Sequence, residues 1–183
     1  MFKAEDIDGT WTLFLDRDGV LNIEKPGDYI YSYDEFVFYA DALDAMKIFN
    51  QKFLHIILAT NQRGVGRNLM TEQDLLDLHT TMVQTIKEAG GRIDRIYYNT
   101  SVDDNHPSRK PHPGMAFQAR HDLPEIDFKK SIMVGNNLSD MAFGRNAGMH
   151  TVFLTTTAPE VTFPDPLIDY HFTSLYQFAK WLG

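Results

Sequence analysis

An α/β fold is expected of this chain: a single, Rossmann-like, three-layer domain with a mainly parallel central sheet. Short, nearly continuous apolar runs recur along it, the form taken by strands buried on both faces of a parallel sheet. Segments with apolar residues at helical spacing lie between those runs, so strand and helix alternate as in βαβ units. Polar stretches carrying Gly, Asp, Asn or Thr also fall directly after the strands, where open α/β sheets bind their ligands. At 183 residues and 43% hydrophobic, the sequence is long enough for one domain with a substantial core, and no repeat or linker divides it.

Residues 11–15 are read as the first strand, running into Asp16-Arg17-Asp18-Gly19. Residues 23–33, with Pro26, Gly27 and several tyrosines, read as a loop, either over the site or simply exposed. In residues 41–51, Leu43, Met46, Ile48 and Phe49 have roughly helical spacing, and residues 53–59 form the next strand. That strand ends in Thr60-Asn61-Gln62, followed by Arg63 and Arg67 around Gly64 and Gly66. Such a loop can cradle an anion, the glycines admitting backbone amides and Thr60 and Asn61 donating side-chain hydrogen bonds; an ordinary polar turn is the alternative. Thr71 has the character of an N-cap, and Leu75, Leu78, Met82 and Ile86 make one apolar stripe down to a stop at Gly90-Gly91.

Residues 93–98 make a third strand, followed by a polar stretch and then Arg109-Lys110 just before a helix that carries Met115, Phe117 and Ala119, with Pro113 in its first turn. Residues 131–134 are a fourth buried strand, and Gly135-Asn136-Asn137-Leu138-Ser139-Asp140 leads into a helix over 141–147. A fifth strand at 151–154, a long irregular loop at 155–166 and a terminal helix at 174–182 complete the chain.

The formal charge of −8, with no run of Lys or Arg, argues against a broad surface for nucleic acid or anionic membrane, although a small cationic pocket fits inside an acidic shell. There is no cysteine, hence neither a disulfide nor a thiolate zinc site. The first six residues hold no apolar signal core, and no apolar run approaches the ~20 residues of a membrane span. The expectation is a soluble, cytoplasmic protein, a monomer or small homo-oligomer, with a small phosphorylated molecule as its partner.

A carboxylate at the end of a buried strand, such as Asp16, can act as a covalent nucleophile, and Asp18, two residues on, can pass a proton to a leaving group. An acidic pair can equally serve only to solvate a strand end. In a doubly wound sheet, however, Asp16, Thr60 and Asn136 would share one edge with Lys110. A nucleophile, a hydroxyl, a lysine and further oxygen ligands are the parts that move a phosphoryl group.

The pattern Asp16-Arg17-Asp18-Gly19-Val20-Leu21-Asn22, Thr60-Asn61-Gln62, Arg109-Lys110-Pro111 and Gly135 to Asp140 resembles the haloacid dehalogenase (HAD) superfamily of phosphatases. Thr-Asn-Gln-x-Gly, Ala89-Gly90-Gly91-Arg92-Ile93-Asp94 and Arg-Lys-Pro-His-Pro-Gly-Met are similar to its small capless branch, which contains heptose bisphosphate phosphatase and histidinol-phosphate phosphatase. The resemblance spans residues 13–154 and implies no large cap domain. It implies that Asp16 forms an aspartyl-phosphate, that Asp18 is the general acid/base and that Lys110 stabilises charge. It further implies Thr60 as a phosphate ligand, Arg109 as a second phosphate or substrate contact and Mg²⁺ as cofactor; Asn61 is read as a further substrate contact, and Asp16, Asp18, Asn136 and Asp140 as the residues that hold the metal.

Two departures stand out. Members of that branch usually carry a zinc loop of cysteines and a histidine before Arg-Lys-Pro, where this chain has residues 99–108 with His106 alone, so no zinc is expected. Asn136 occupies a position where the superfamily usually has a metal-binding aspartate. The expected activity is Mg²⁺-dependent hydrolysis of a small sugar phosphate, with heptose 1,7-bisphosphate foremost and histidinol phosphate as the alternative. A nucleic-acid 3′-phosphatase shares a loop like residues 60–67, but the acidity of the chain opposes it. A non-catalytic phosphate-binding protein is suggested by Asn136 and opposed by the intact Asp16 and Asp18.

Overall fold

Every residue of Thr12–Leu15 (β1) is buried, because strands pair with it on both sides: His55–Asn61 (β2) and Ser131–Gly135 (β4). Leu13 faces Ile56 on one side and Ile132 on the other. The computed structural model, which describes residues 2–158 and 160–183, extends this ladder to six strands in the order β3-β2-β1-β4-β5-β6. The outer strands are Arg95–Asn99 (β3), His150–Leu154 (β5) and Tyr170–Phe172 (β6), and all five pairings are parallel. The sheet is thus wholly parallel, where a mainly parallel one was expected.

Alternation along the strands sends successive side chains to opposite faces. Leu13, Leu15, Ile56 and Leu58 pack with Ala42–Lys52 (α1), Glu72–Glu88 (α3) and Leu175–Trp181 (α6) through Met46, Phe49, Met82, Ile86 and Phe178. Phe14, Ile57, Ala59 and Met133 pack on the other face against Gly114–Asp122 (α4) and Leu138–Ala147 (α5) through Met115, Ala119, Phe143 and Ala147. The result is the expected three layers.

Element boundaries depart from expectation at helix caps and at a strand pairing. Phe53 closes α1 as its C-cap instead of opening a strand, and β2 runs on through Thr60 and Asn61 because Asn61 pairs with Asn99 of β3. Pro113 is the N-cap of α4 and lies outside its first turn. The α5 helix starts at Leu138, three residues earlier than expected, because Asn137 and Asp140 form a capping box. Thr71 caps α3 as expected, and Gly90 beyond its end takes φ +89°. The β6 strand was not expected: three residues, with His171 exposed between two half-buried aromatics, are too few to show a period.

The loop at 155–166 carries neither helix nor strand among its described residues; Pro159, like Met1 of the N-terminal stretch, lies outside them. No helix among the described residues is long and apolar enough to cross a membrane. The sheet order reverses at β1, whose neighbours β2 and β4 leave in opposite directions, and that reversal opens a crevice at the C-terminal ends of the strands.

Candidate active site

Asp16 follows β1 directly, its N–H still in the ladder to the Val134 carbonyl at 3.0 Å. Its Oδ1 accepts from the Arg17 N–H at 2.8 Å and meets the Lys110 ammonium at 2.9 Å, while Oδ2 takes no hydrogen bond among the described residues. Lys110, with a side chain only 1% exposed, also lies 2.7 Å from Asp140 Oδ1. Two local devices aim this chain of charges. Asn61, at the end of β2, clasps the Lys110 backbone by donating to its carbonyl at 3.2 Å and accepting from its N–H at 3.1 Å. The Asn137 N–H holds Asp140 Oδ2 at 3.0 Å in the capping box, which turns Oδ1 toward the lysine. Gly135 is required for this approach, since a Cβ there would sit 2.3 Å from the Asp140 side chain.

Burial pushes the Asp16 carboxyl up to about 6; Lys110 opposes the rise, and Asp140 and Asp18 add to it. Burial pulls the Lys110 ammonium down, but Asp140 and Asp16 outweigh it and hold the group above the ordinary lysine value. Lys110 is therefore a permanent cation.

Asp18 is surrounded by donors. Arg17 NH2 reaches both carboxylate oxygens at 3.0 and 2.9 Å, Asn22 Nδ2 donates to Oδ1 at 3.0 Å, and Gln62 Nε2 donates to Oδ2 at 3.0 Å. Burial alone would raise this carboxyl; the Arg17 guanidinium and these hydrogen bonds overcome burial and hold it below the usual carboxylate range. Arg17 is itself fully buried, and its NH1 lies 3.3 Å from His79 Nε2 on α3. Burial first, and then Arg17, depress His79 to about 3, so the imidazole is neutral.

The crevice holds about 230 Å³. Asp16, Asp18, Asn61, Arg109, Lys110, Asn136 and Asp140 all line it, as expected, joined by Glu24, Asn137 and Ser139. Thr60 does not line it. Its side chain, in a residue 1% exposed, accepts from Gln62 Nε2 at 3.0 Å. In the loop read as an anion cradle or an ordinary polar turn, residues Arg63–Gly66 form a short helix (α2), Gly64 makes room for the Tyr29 ring, and a Cβ at Gly66 would meet the Thr100 carbonyl at 1.9 Å. Those glycines let the chain pack on itself.

Arg109 is tied to Asp104 at 3.1 Å and to the Ser101 carbonyl at 3.3 Å, and Arg63 binds the same Asp104 oxygen. The loop carrying them is pinned by His106 Nδ1, which lies 3.0 Å from Asn99 Nδ2 and accepts from the Ser108 N–H at 3.2 Å. Sequence reasoning gave no role to Glu24, Arg17, Gln62 or His79. The first three stand within or beside the motifs; His79 gave no signal, since a histidine on a helical stripe is usually only packing.

Asn136 follows β4 and is 4% exposed. Its Nδ2 donates to Thr157 Oγ1 at 2.6 Å and lies 3.4 Å from Glu24 Oε2, while Oδ1 is buried without a partner among the described residues. Gly19, at φ +79°, makes space for this amide, which a Cβ would approach to 2.1 Å. No three His, Asp or Glu side chains stand in metal-binding geometry among the described residues. The unpartnered Asn136 oxygen beside the Asp16 carboxylate nevertheless suits Mg²⁺, a hard cation that uses one or two carboxylates and completes its shell with water and phosphate oxygens. Asp140, expected among the metal ligands, has one oxygen on Lys110 and the other on the Asn137 N–H.

A doubly wound parallel sheet with an aspartate–lysine–aspartate chain at its switch point defines a class, the HAD-type phosphatases. Residues 107–168 match the HAD-hydrolase-like family model. The chain is 36% identical over 145 residues to the D-glycero-alpha-D-manno-heptose-1,7-bisphosphate 7-phosphatase of Campylobacter jejuni, spanning 79% of this chain and 82% of that one. It is 31% identical to the Mycobacterium tuberculosis H37Rv protein of the same name, over 98% and 95% of the two chains. A crystal structure of D,D-heptose 1,7-bisphosphate phosphatase from B. bronchiseptica, complexed with magnesium and phosphate, superposes with a TM-score of 0.84 at 27% identity, covering 94% of this chain and 97% of that one. The chain belongs to the HAD superfamily of phosphatases, in the family of the heptose bisphosphate phosphatases.

Proposed function

We propose that the protein is a Mg²⁺-dependent phosphatase of carbohydrate metabolism that removes one phosphoryl group from a small sugar bisphosphate of the heptose 1,7-bisphosphate kind. A cytoplasmic setting suits such a substrate. The observation that carries the chemistry is the contact of Asp16 Oδ1 with the buried Lys110, which orients the carboxylate and leaves Oδ2 without a partner. The substrate class is supported by the names of the relatives over most of their length.

Asp16 Oδ2 attacks phosphorus, and the bond to the sugar oxygen breaks as the acyl phosphate forms. Lys110 offsets the charge of the transferring group from a site where little water competes. Bound Mg²⁺ would supply further charge neutralisation at the phosphoryl oxygens, held by Asp16, Asn136 Oδ1 and the Asp18 carbonyl. Asp18 gives the leaving oxygen its proton, then takes one from the water that attacks phosphorus and releases Asp16 and phosphate. Every contact that Asp18 makes in the structure comes from an N–H donor, so it must leave Arg17, Asn22 and Gln62 before it can carry a proton. Asn61 and Arg109 face the substrate across the crevice, and Asp140 serves to hold Lys110.

A panel of sugar bisphosphates, sugar monophosphates, histidinol phosphate and a 3′-phosphorylated oligonucleotide tests the proposal. Mg²⁺-dependent release of a single phosphate from the heptose bisphosphate, lost with EDTA, is expected. Turnover confined to histidinol phosphate or to the oligonucleotide would overturn the substrate class.

A further inference from the structure

We infer that Glu24 is a charge-supplying carboxylate of the divalent-cation site, standing beside Asn136 in place of the carboxylate that position 136 lacks. The inference rests on the proposed reading of the crevice as a Mg²⁺ site and assigns it a residue that no motif singles out. Glu24 sits just past the acidic turn, where the Ile23 N–H binds the Val37 carbonyl at 2.9 Å and Asn22 Nδ2 binds the Ile23 carbonyl at 3.0 Å. Its side chain lines the same crevice as Asp16 and Asn136. Among the described residues it forms no salt bridge, and its one polar contact is the Asn136 amide at 3.4 Å.

That contact settles which way the amide faces. The carboxylate oxygen Glu24 Oε2 can only accept and so draws Nδ2 toward itself, Thr157 Oγ1 accepts from the same nitrogen, and the oxygen end is left buried and unpartnered among the described residues. A buried, unpaired amide oxygen is costly unless a cation or donor meets it. An aspartate in the same pose would bring two carboxylates within about 3.4 Å of each other, a like-charge contact that the amide avoids.

The charges of the crevice agree with this assignment. Asp18 is paired with Arg17, while Asp16 and Asp140 share the single cation of Lys110. One negative charge is left over around Asp16 and Glu24 adds a second, while Arg109, the other cation of the lining, is bound to Asp104 and the Ser101 carbonyl.

Isothermal titration of MgCl₂ into the substrate-free protein, with thermal melts in EDTA and in Mg²⁺, tests the assignment on wild type, Glu24→Gln, Asn136→Asp and the double variant. Glu24→Gln is isosteric at a half-buried position, and an unchanged melting temperature in EDTA shows that it folds. The expected result is a Mg²⁺ Kd raised about tenfold or more in Glu24→Gln, with loss of the Mg²⁺-induced rise in melting temperature. Asn136→Asp placed in that background should return the Kd to near the wild-type value. Wild type and Glu24→Gln binding Mg²⁺ equally well would overturn the role of Glu24 alone, as would a double variant no tighter than Glu24→Gln. A wild type with no saturable Mg²⁺ binding would overturn the metal reading of the crevice and this inference with it.

Discussion

Asp16 and Asp18 are two residues apart and have opposite surroundings. Asp16 leans on one lysine and keeps a free oxygen, whereas Asp18 is saturated with N–H donors. Asp16→Asn should abolish turnover, because the amide oxygen is a poor nucleophile and no neighbour can replace it. Asp18→Asn should leave a measurable rate, lower by about the 10²- to 10⁴-fold that acid/base catalysis contributes. Phosphate-release assays separate the two, and near-normal activity of Asp16→Asn would refute the covalent route. Asn136→Asp should lower the Mg²⁺ concentration for half-maximal activity, since it adds a full charge at the metal; equal half-saturation in both forms would show that position 136 does not reach the ion. The repulsion this substitution meets from Glu24 makes the gain smaller than an isolated aspartate would give.

The elements aim these side chains through their ends. Asn137 caps α5, with Oδ1 accepting from the Ser139 N–H at 3.0 Å, while its own N–H holds Asp140 against Lys110. Asn137→Ala should therefore cost about 1 kcal/mol of stability through loss of the cap. Because the backbone N–H remains, kcat should fall only modestly. Gly135→Ala should behave differently: a Cβ at 2.3 Å from Asp140 must push that carboxylate off Lys110, so activity should drop far more than the melting temperature. A kcat for Gly135→Ala close to wild type would show that Asp140 does not need its observed place.

For the molecule as a whole, the buried His79 links stability to pH. It is held neutral with a pKa of about 3, against about 6.5 in an unfolded chain. Between those values the unfolded state binds the extra proton, so stability is complete above pH 6.5 and falls as pH drops toward 3, with a limiting slope of about 1.4 kcal/mol per pH unit. His79→Gln can still accept from Arg17 but does not titrate, so it should flatten the loss between pH 6.5 and 5 in urea denaturation. Parallel curves for the two proteins over that interval would refute the linkage. Asp169 adds a loss at lower pH: burial opposes its ionisation, but His150, Arg145 and the Thr151 N–H hold it well below the usual carboxylate range. Its contribution is lost only as pH falls beneath the unfolded carboxylate value.

The layered α/β architecture, the five longer strands and the crevice residues Asp16, Asp18, Lys110, Asn136 and Asp140 were legible in the order of residues, because burial imposes a period on strands and helices and parallel strands put their C-terminal ends on one edge. Strand β6 and the packing role of Gly64 and Gly66 were not, since each depends on a neighbour far away in the chain, and the turn of the Thr60 hydroxyl to Gln62, only two residues on, left no mark in the pattern either. The same holds for the partners of the functional groups. Arg17 meets His79 from 62 residues away, and Asn136 meets Glu24 from 112. Local sequence specifies which side chains stand at a strand end; which charge faces which follows only when distant segments are packed into one low-dielectric crevice, where a few ångströms decide whether two groups pair or repel.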